Sequence, residues 1–119
     1  MFHFCRWLWL LRMADPAFIE RLEATLRQRR SEDPAQSYVA ALHAKGVSQI
    51  ARKLGEEAIE TIVAALAGDA QALTAEAADL VFHLLVLLDA KGLSFADVIA
   101  ELERREGLSG IAEKARRRS

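Results

Sequence analysis

The 119-residue sequence predicts an all-α fold, a helical bundle around a single core. Three observations predict it. Apolar residues recur at i, i+3, i+4 and i+7 through most of the chain, no stretch alternates apolar and polar as a half-buried strand would, and proline and glycine fall where helices would begin and end. A hydrophobic fraction of 52% against 28% charged residues is the balance of a globular chain and excludes a disordered or collagen-like one.

The opening residues MFHFCRWLWLLR are apolar, yet far short of the ~20 that a bilayer span requires, and they lack the charged lead and small-residue cleavage site of a secretory signal. Residues 1–12 are therefore expected to be an extension that is not native, with Met13 as the natural start and 13–119 as one all-α domain. A sticky helical cap and a weak membrane-surface anchor are the alternatives for the extension.

Pro16 and Pro34 each follow an aspartate, the N-cap and first-turn arrangement that opens a helix. After the first, Phe18, Ile19, Leu22 and Leu26 predict an amphipathic helix over about 15–30. After the second, a shorter helix is expected from Pro34 to Ala44, stopped by Gly46. The longest helix is expected from near Ser48 to Ala67, with Ile59, Ile62, Val63 and Leu66 as its core face and Gly68 as its stop. The next spans about Asp69 to Lys91 and contains LVFHLLVLL at 80–88, apolar nearly all round, which places it in the middle of the bundle. Gly92 ends it. SFAD at 94–97 predicts a capping box with Asp97 in the glutamate position, opening a helix to about Arg105. A last short helix ends in KARRRS, a solvated basic end.

Sixteen basic and seventeen acidic residues leave a formal charge of -1, so nothing in the overall charge favours nucleic acid or an anionic membrane as partner. The lone Cys5 excludes an internal disulfide and a thiolate zinc site, and it fits a reducing, cytoplasmic compartment. A metal would have to use oxygen or imidazole ligands.

The acids carry the chemistry. At 100° per residue Glu56, Glu57 and Glu60 fall on one arc beside the apolar face of the long helix, with Lys53 inside it. On the following helix Glu76 and Asp79 are spaced by three, and His83 lies on their side. If the two helices form an antiparallel hairpin turning at Gly68 and Asp69, EAIE at 57–60 and EAAD at 76–79 face each other. Two unit charges ~5 Å apart at an effective dielectric of about 20 repel by roughly 3 kcal/mol. A hard divalent cation such as Mg²⁺, which takes carboxylates, waters and phosphates, would offset that. The competing reading is a solvated acidic face. It is weakened because Arg52–Glu56 and Lys53–Glu57 pair in the less favourable order, base before acid, and because Glu76 and Asp79 adjoin the most apolar helix.

Other residues are less decisive. His83 is expected to hydrogen-bond the Asp79 carboxylate rather than ligate a metal. Lys45 and Lys53 could bind phosphate or be solvated, Ser37 and Tyr38 could be substrate contacts or helix-surface residues, and Gly55 could admit a close neighbour or be tolerated. No GxxxxGK[ST] phosphate loop is present, and the ExxH pairs of di-iron bundles are missing.

These residues resemble the all-α nucleoside triphosphate pyrophosphohydrolase superfamily, whose pattern is ExxE, a spacer, then ExxD. Within it the sequence is most similar to the phosphoribosyl-ATP pyrophosphohydrolase family of histidine biosynthesis. SYVAALHAKG at 37–46, IARKLGEEAIETIVAA at 50–65 and EAADLVFHLLVLL at 76–88 carry the likeness; Val39, where the family often has threonine, departs from it. The resemblance implies a dimerising helical bundle, Mg²⁺ dependence, and hydrolysis of phosphoribosyl-ATP to phosphoribosyl-AMP and pyrophosphate. By position it implies Glu57, Glu60, Glu76 and Asp79 as metal-binding acids and Glu56 as the additional acid. Either Glu56 or Glu57 would act on the attacking water, and Lys45, Lys53, Ser37 and Tyr38 would contact the nucleotide. A house-cleaning pyrophosphohydrolase for other nucleotides and a non-catalytic dimerisation module are the alternatives. The apolar 80–88 helix, hard to cover in so small a bundle, itself argues for a homodimer.

Overall fold

The computed structural model describes residues 14, 15, 17–106, 108 and 110–118. The expectations for residues 1–13 and for Pro16 lie outside the described residues. All regular structure among the described residues is helical: α1 (Phe18–Arg29), α2 (Tyr38–Lys45), α3 (Val47–Ala67), α4 (Ala70–Ala90), α5 (Phe95–Arg105) and α6 (Gly110–Arg118).

Asp15 starts α1: its Oδ1 accepts from the Ala17 amide at 2.9 Å, its carbonyl accepts from Phe18, and its carboxylate pairs with Arg21. The second Asp-Pro pair does not open α2, contrary to the sequence expectation. Asp33 instead closes a single turn, its carbonyl accepting from the Gln36 and Ser37 amides and its Oδ1 from Ala35. Ser37 then adopts an extended conformation that interrupts the helical path, and its Oγ caps α2 by accepting from the Ala40 amide at 3.2 Å. α2 therefore begins at Tyr38.

Gly46 alone separates α2 from α3. Its φ of 97° and ψ of 170° lie in a region that essentially only glycine occupies. Between α3 and α4 the link is Gly68, left-handed at φ 78°, and Asp69, whose carboxylate accepts from the Gln71 and Ala72 amides. So short a link folds α4 back antiparallel along α3, the most extensive helix pairing in the chain. Past α4 the predicted capping box forms, with Ser94 and Asp97 bonding reciprocally, and the Phe95 amide donates to Glu23 of α1 at 3.0 Å. Glu101 gathers Arg104 and Arg105 of its own helix and Arg116 of α6. Hydrogen bonds from Arg104 first and then Arg105 hold its carboxyl down at about 2.

The core comprises Leu26 of α1, Val39 and Leu42 of α2, Ile50 of α3 and Leu85 and Val86 of α4. Val39 is thus a packing residue. α4 is central, as its apolar run predicts, and has the length and mean hydropathy of a membrane-crossing helix; it also carries Glu76, Asp79, His83 and Asp89 and packs on α1 and α3.

One core expectation is overturned. Ile59, Ile62, Val63 and Leu66 are not the buried face of α3; they are 57–84% exposed. The side facing α4 is the one bearing Ile50, Glu57 and Ala64, which are buried. Sequence periodicity finds an apolar stripe, but it does not say whether that stripe meets its own chain.

Candidate metal centre

The same rotation of α3 that turns its aliphatic stripe outward turns Glu57 inward, leaving it only 5% exposed. α4 runs antiparallel opposite it and presents Glu76 and Asp79 from one face. Carboxylate oxygens of Glu57, Glu76 and Asp79 all lie within 4.8 Å of one another. Glu60, one turn along α3 and exposed, hydrogen-bonds Glu76 and then Glu57, and these contacts raise its carboxyl above the ordinary value. The hairpin predicted from the sequence thus brings EAIE and EAAD together.

Electrostatics make this grouping costly if it stands alone. Carboxylates this close repel by roughly 3 kcal/mol per pair at an effective dielectric of about 20. Among the described residues, only one cation addresses the cluster directly: Lys53 Nζ lies 3.3 Å from Glu57 Oε1 and 3.7 Å from Glu56 Oε2. Burial works to raise the Glu57 carboxyl, but the hydrogen bonds from Lys53 and Glu60 outweigh it and hold it below the usual range. Oε2 of Glu57 and Oε2 of Glu76 are buried without any hydrogen-bond partner among the described residues. Buried oxygens are seldom left so, and an all-oxygen donor set with unsatisfied lone pairs fits a hard divalent cation such as Mg²⁺.

Glu56 stands beside this cluster. Half-exposed, it pairs with Arg52 at 3.6 Å and shares the Lys53 ammonium with Glu57. The base-before-acid pairs that the sequence disfavours therefore do form, because Glu57 points inward and leaves Lys53 a single carboxylate edge to reach.

His83 is buried, but it does not bond the Asp79 carboxylate as expected. Its Nδ1 donates to the Asp79 backbone carbonyl at 2.7 Å, the usual i−4 acceptor within reach of a helix side chain, and its Nε2 meets Tyr38 Oη at 2.8 Å. Tyr38 stacks on Phe82 with centroids 6.5 Å apart and meets the His83 ring edge-on. No sequence signal links Tyr38 to His83, 45 residues away. Ser37 is buried as the α2 cap. Lys45 is exposed in the last turn of α2, and among the described residues no hydrogen bond or ion pair ties it to the acids. A Cβ at Gly55 would meet nothing within 4 Å, so no neighbouring part of the chain requires glycine there.

The chain is similar to known proteins over most of its length. A family model described as phosphoribosyl-ATP pyrophosphohydrolase matches residues 19–106, which include Glu56, Glu57, Glu60, Glu76 and Asp79. Among curated relatives, the chain is 63% identical over 99 residues to a protein of Rhizorhabdus wittichii, covering 83% of this chain and 93% of the relative. It is 64% identical over 105 residues to one of Novosphingobium aromaticivorans, covering 88% and 98%. It is 60% identical over 99 residues to one of Erythrobacter litoralis, covering 83% and 95%. Each of the three is named phosphoribosyl-ATP pyrophosphatase.

Proposed function

Because the chain belongs to the phosphoribosyl-ATP pyrophosphohydrolase family, we propose that it is a Mg²⁺-dependent enzyme hydrolysing phosphoribosyl-ATP to phosphoribosyl-AMP and pyrophosphate, the second step of histidine biosynthesis. The observation that carries the site is the convergence of Glu57, Glu76 and Asp79 with two orphaned buried oxygens. These three, with Glu60 at the rim, would hold the ion. Bound there, Mg²⁺ supplies Lewis-acid polarisation of phosphate oxygens and offsets charge on the leaving pyrophosphate.

The chain's own groups do the rest. Glu56 lies outside the convergent set and is half-exposed, so it is free to take the proton from the attacking water, whereas Glu57 is committed to the ion. The water oxygen bonds to phosphorus at the α–β linkage, the bridging P–O bond breaks, and its electron pair leaves on pyrophosphate. Lys53 moves from Glu57 to a phosphate oxygen, and Lys45 and Ser37, at the two ends of α2, lie toward the nucleotide.

A second copy of the chain completes the assembly. Ile59, Ile62, Val63 and Leu66 leave a continuous aliphatic ridge exposed on α3, and burying each such side chain is worth roughly 1.5–3 kcal/mol. A homodimer through this ridge and a cytoplasmic location fit the reading.

Incubation with phosphoribosyl-ATP with and without Mg²⁺, beside a panel of ordinary and non-standard nucleoside triphosphates, tests it. Pyrophosphate released from phosphoribosyl-ATP only with the metal is the expected result. Preference for another triphosphate would transfer the chain to house-cleaning chemistry, and no release from any of them would leave the acids structural.

A further inference from the structure

Tyr38, His83 and the Asp79 carbonyl form a hydrogen-bonded chain whose direction can be read from its fixed end. A carbonyl oxygen only accepts, so the 2.7 Å contact requires the proton on His83 Nδ1. In the neutral ring Nε2 is then the bare nitrogen, and the 2.8 Å contact requires the Tyr38 hydroxyl to donate to it. The phenol proton is thereby committed to His83, and the phenol oxygen keeps only lone pairs for anything else. These bonds join that oxygen to the acidic centre, since they end on the backbone of Asp79, one of the convergent acids, and the charges of Lys53, Glu57, Asp79 and Glu56 reach it. A phosphate oxygen offers no donor to such a group. A water does.

We propose that His83 fixes the polarity of the Tyr38 hydroxyl so that Tyr38 accepts a hydrogen bond from a water in the acidic centre and orients it, rather than contacting substrate phosphate. The inference rests on the hydrolytic reading above. His83, acting through Tyr38, is a positioning residue. One hydrogen of the water points to Tyr38 Oη, which leaves the other for Glu56 and turns an oxygen lone pair toward phosphorus. The edge-on ring contact with centroids 5.8 Å apart, and the stack of Tyr38 on Phe82, hold the phenol in this orientation although half of the residue is exposed.

Long-range ¹H–¹⁵N correlation spectra of the full chain, without metal or substrate, read the tautomer directly; comparison with His83→Gln assigns the ring among the three histidines. A proton on Nδ1 and a bare Nε2 is expected, and a proton on Nε2 overturns the inference whatever the activity. In Tyr38→Phe, kcat should fall about tenfold, the rate equivalent of one ordinary hydrogen bond. KM for phosphoribosyl-ATP and the stoichiometry of calorimetric Mn²⁺ binding should match wild type. A wild-type kcat per metal site, with only a lower melting temperature, would make the pair structural and sink the proposal. Raised KM at unchanged kcat would make Tyr38 a substrate contact and sink it equally. Failure of the wild-type chain to hydrolyse phosphoribosyl-ATP refutes the hydrolytic reading instead; active enzyme with the reversed tautomer refutes this inference alone.

Discussion

Lys53 Nζ sits 3.3 Å from one oxygen of Glu57 while the other oxygen of the same carboxylate is buried with no hydrogen-bond partner among the described residues. The carboxylate is half-satisfied by the chain, and the ammonium occupies ground that a divalent ion would share. Lys53 is therefore a competitor of the metal as well as a stabiliser of the free protein.

Replacing Lys53 with methionine separates those roles. The metal-free protein should lose roughly 0.5–1 kcal/mol, since the lysine is partly solvated. Mg²⁺ should then raise the melting temperature by more than it does in wild type, because stabilisation grows with affinity for the native state. Turnover should fall. Thermal melts across a Mg²⁺ series check it, and a smaller metal-induced shift in the variant would show that Lys53 assists the ion.

Removing a convergent acid should abolish turnover without unfolding the bundle. Glu57→Gln or Asp79→Asn is expected to lower kcat by on the order of a hundredfold or more and to erase the Mg²⁺-dependent thermal shift, with helix content by circular dichroism nearly unchanged. Wild-type rates in either variant would remove the acids from the mechanism.

The aliphatic ridge on α3 gives a prediction about assembly. Ile62→Glu or Leu66→Lys places a charge on a surface that no part of the described chain covers, so the monomer fold should persist while the proposed dimer is lost in sedimentation equilibrium. A wild-type chain that is already monomeric at high concentration would contradict it.

His43 supplies a pH dependence remote from the acids. Desolvation first, and then the Arg30 guanidinium, push its imidazolium below the ordinary 6.5, against the pull of Asp89 at 3.8 Å. The unfolded chain therefore binds this proton more readily than the folded one. The contribution to stability is complete above about pH 6.5 and is lost as pH falls through the lowered native value. Denaturant titrations should show this slope in wild type and a flatter one in His43→Gln.

The helices were legible because their punctuation is local: a glycine in left-handed geometry at Gly68 or a Ser94–Asp97 box is decided within four residues. Asp33-Pro34 misled because the same signal serves an isolated turn, and it was the extended Ser37 that chose between them. The four acids were legible because helical spacing and a two-residue link place EAIE opposite EAAD. Which side of α3 faces inward was not, since both of its stripes are consistent with one helix and only packing on α4 decides. The Tyr38–His83 bond was invisible for a related reason: it depends on how α2 is docked on α4, which no periodicity encodes.

Gly46 carries a consequence of its own. Everything upstream of it that reaches the acids, Tyr38 above all, is aimed relative to α3 by one peptide in a conformation closed to the other residues. Beyond its two neighbours a Cβ there would meet nothing among the described residues within 4 Å, yet it would swing two halves of the machinery out of alignment. Mutational maps scored only by lost contacts would mark the position as tolerant, when it is the fulcrum on which the alignment turns.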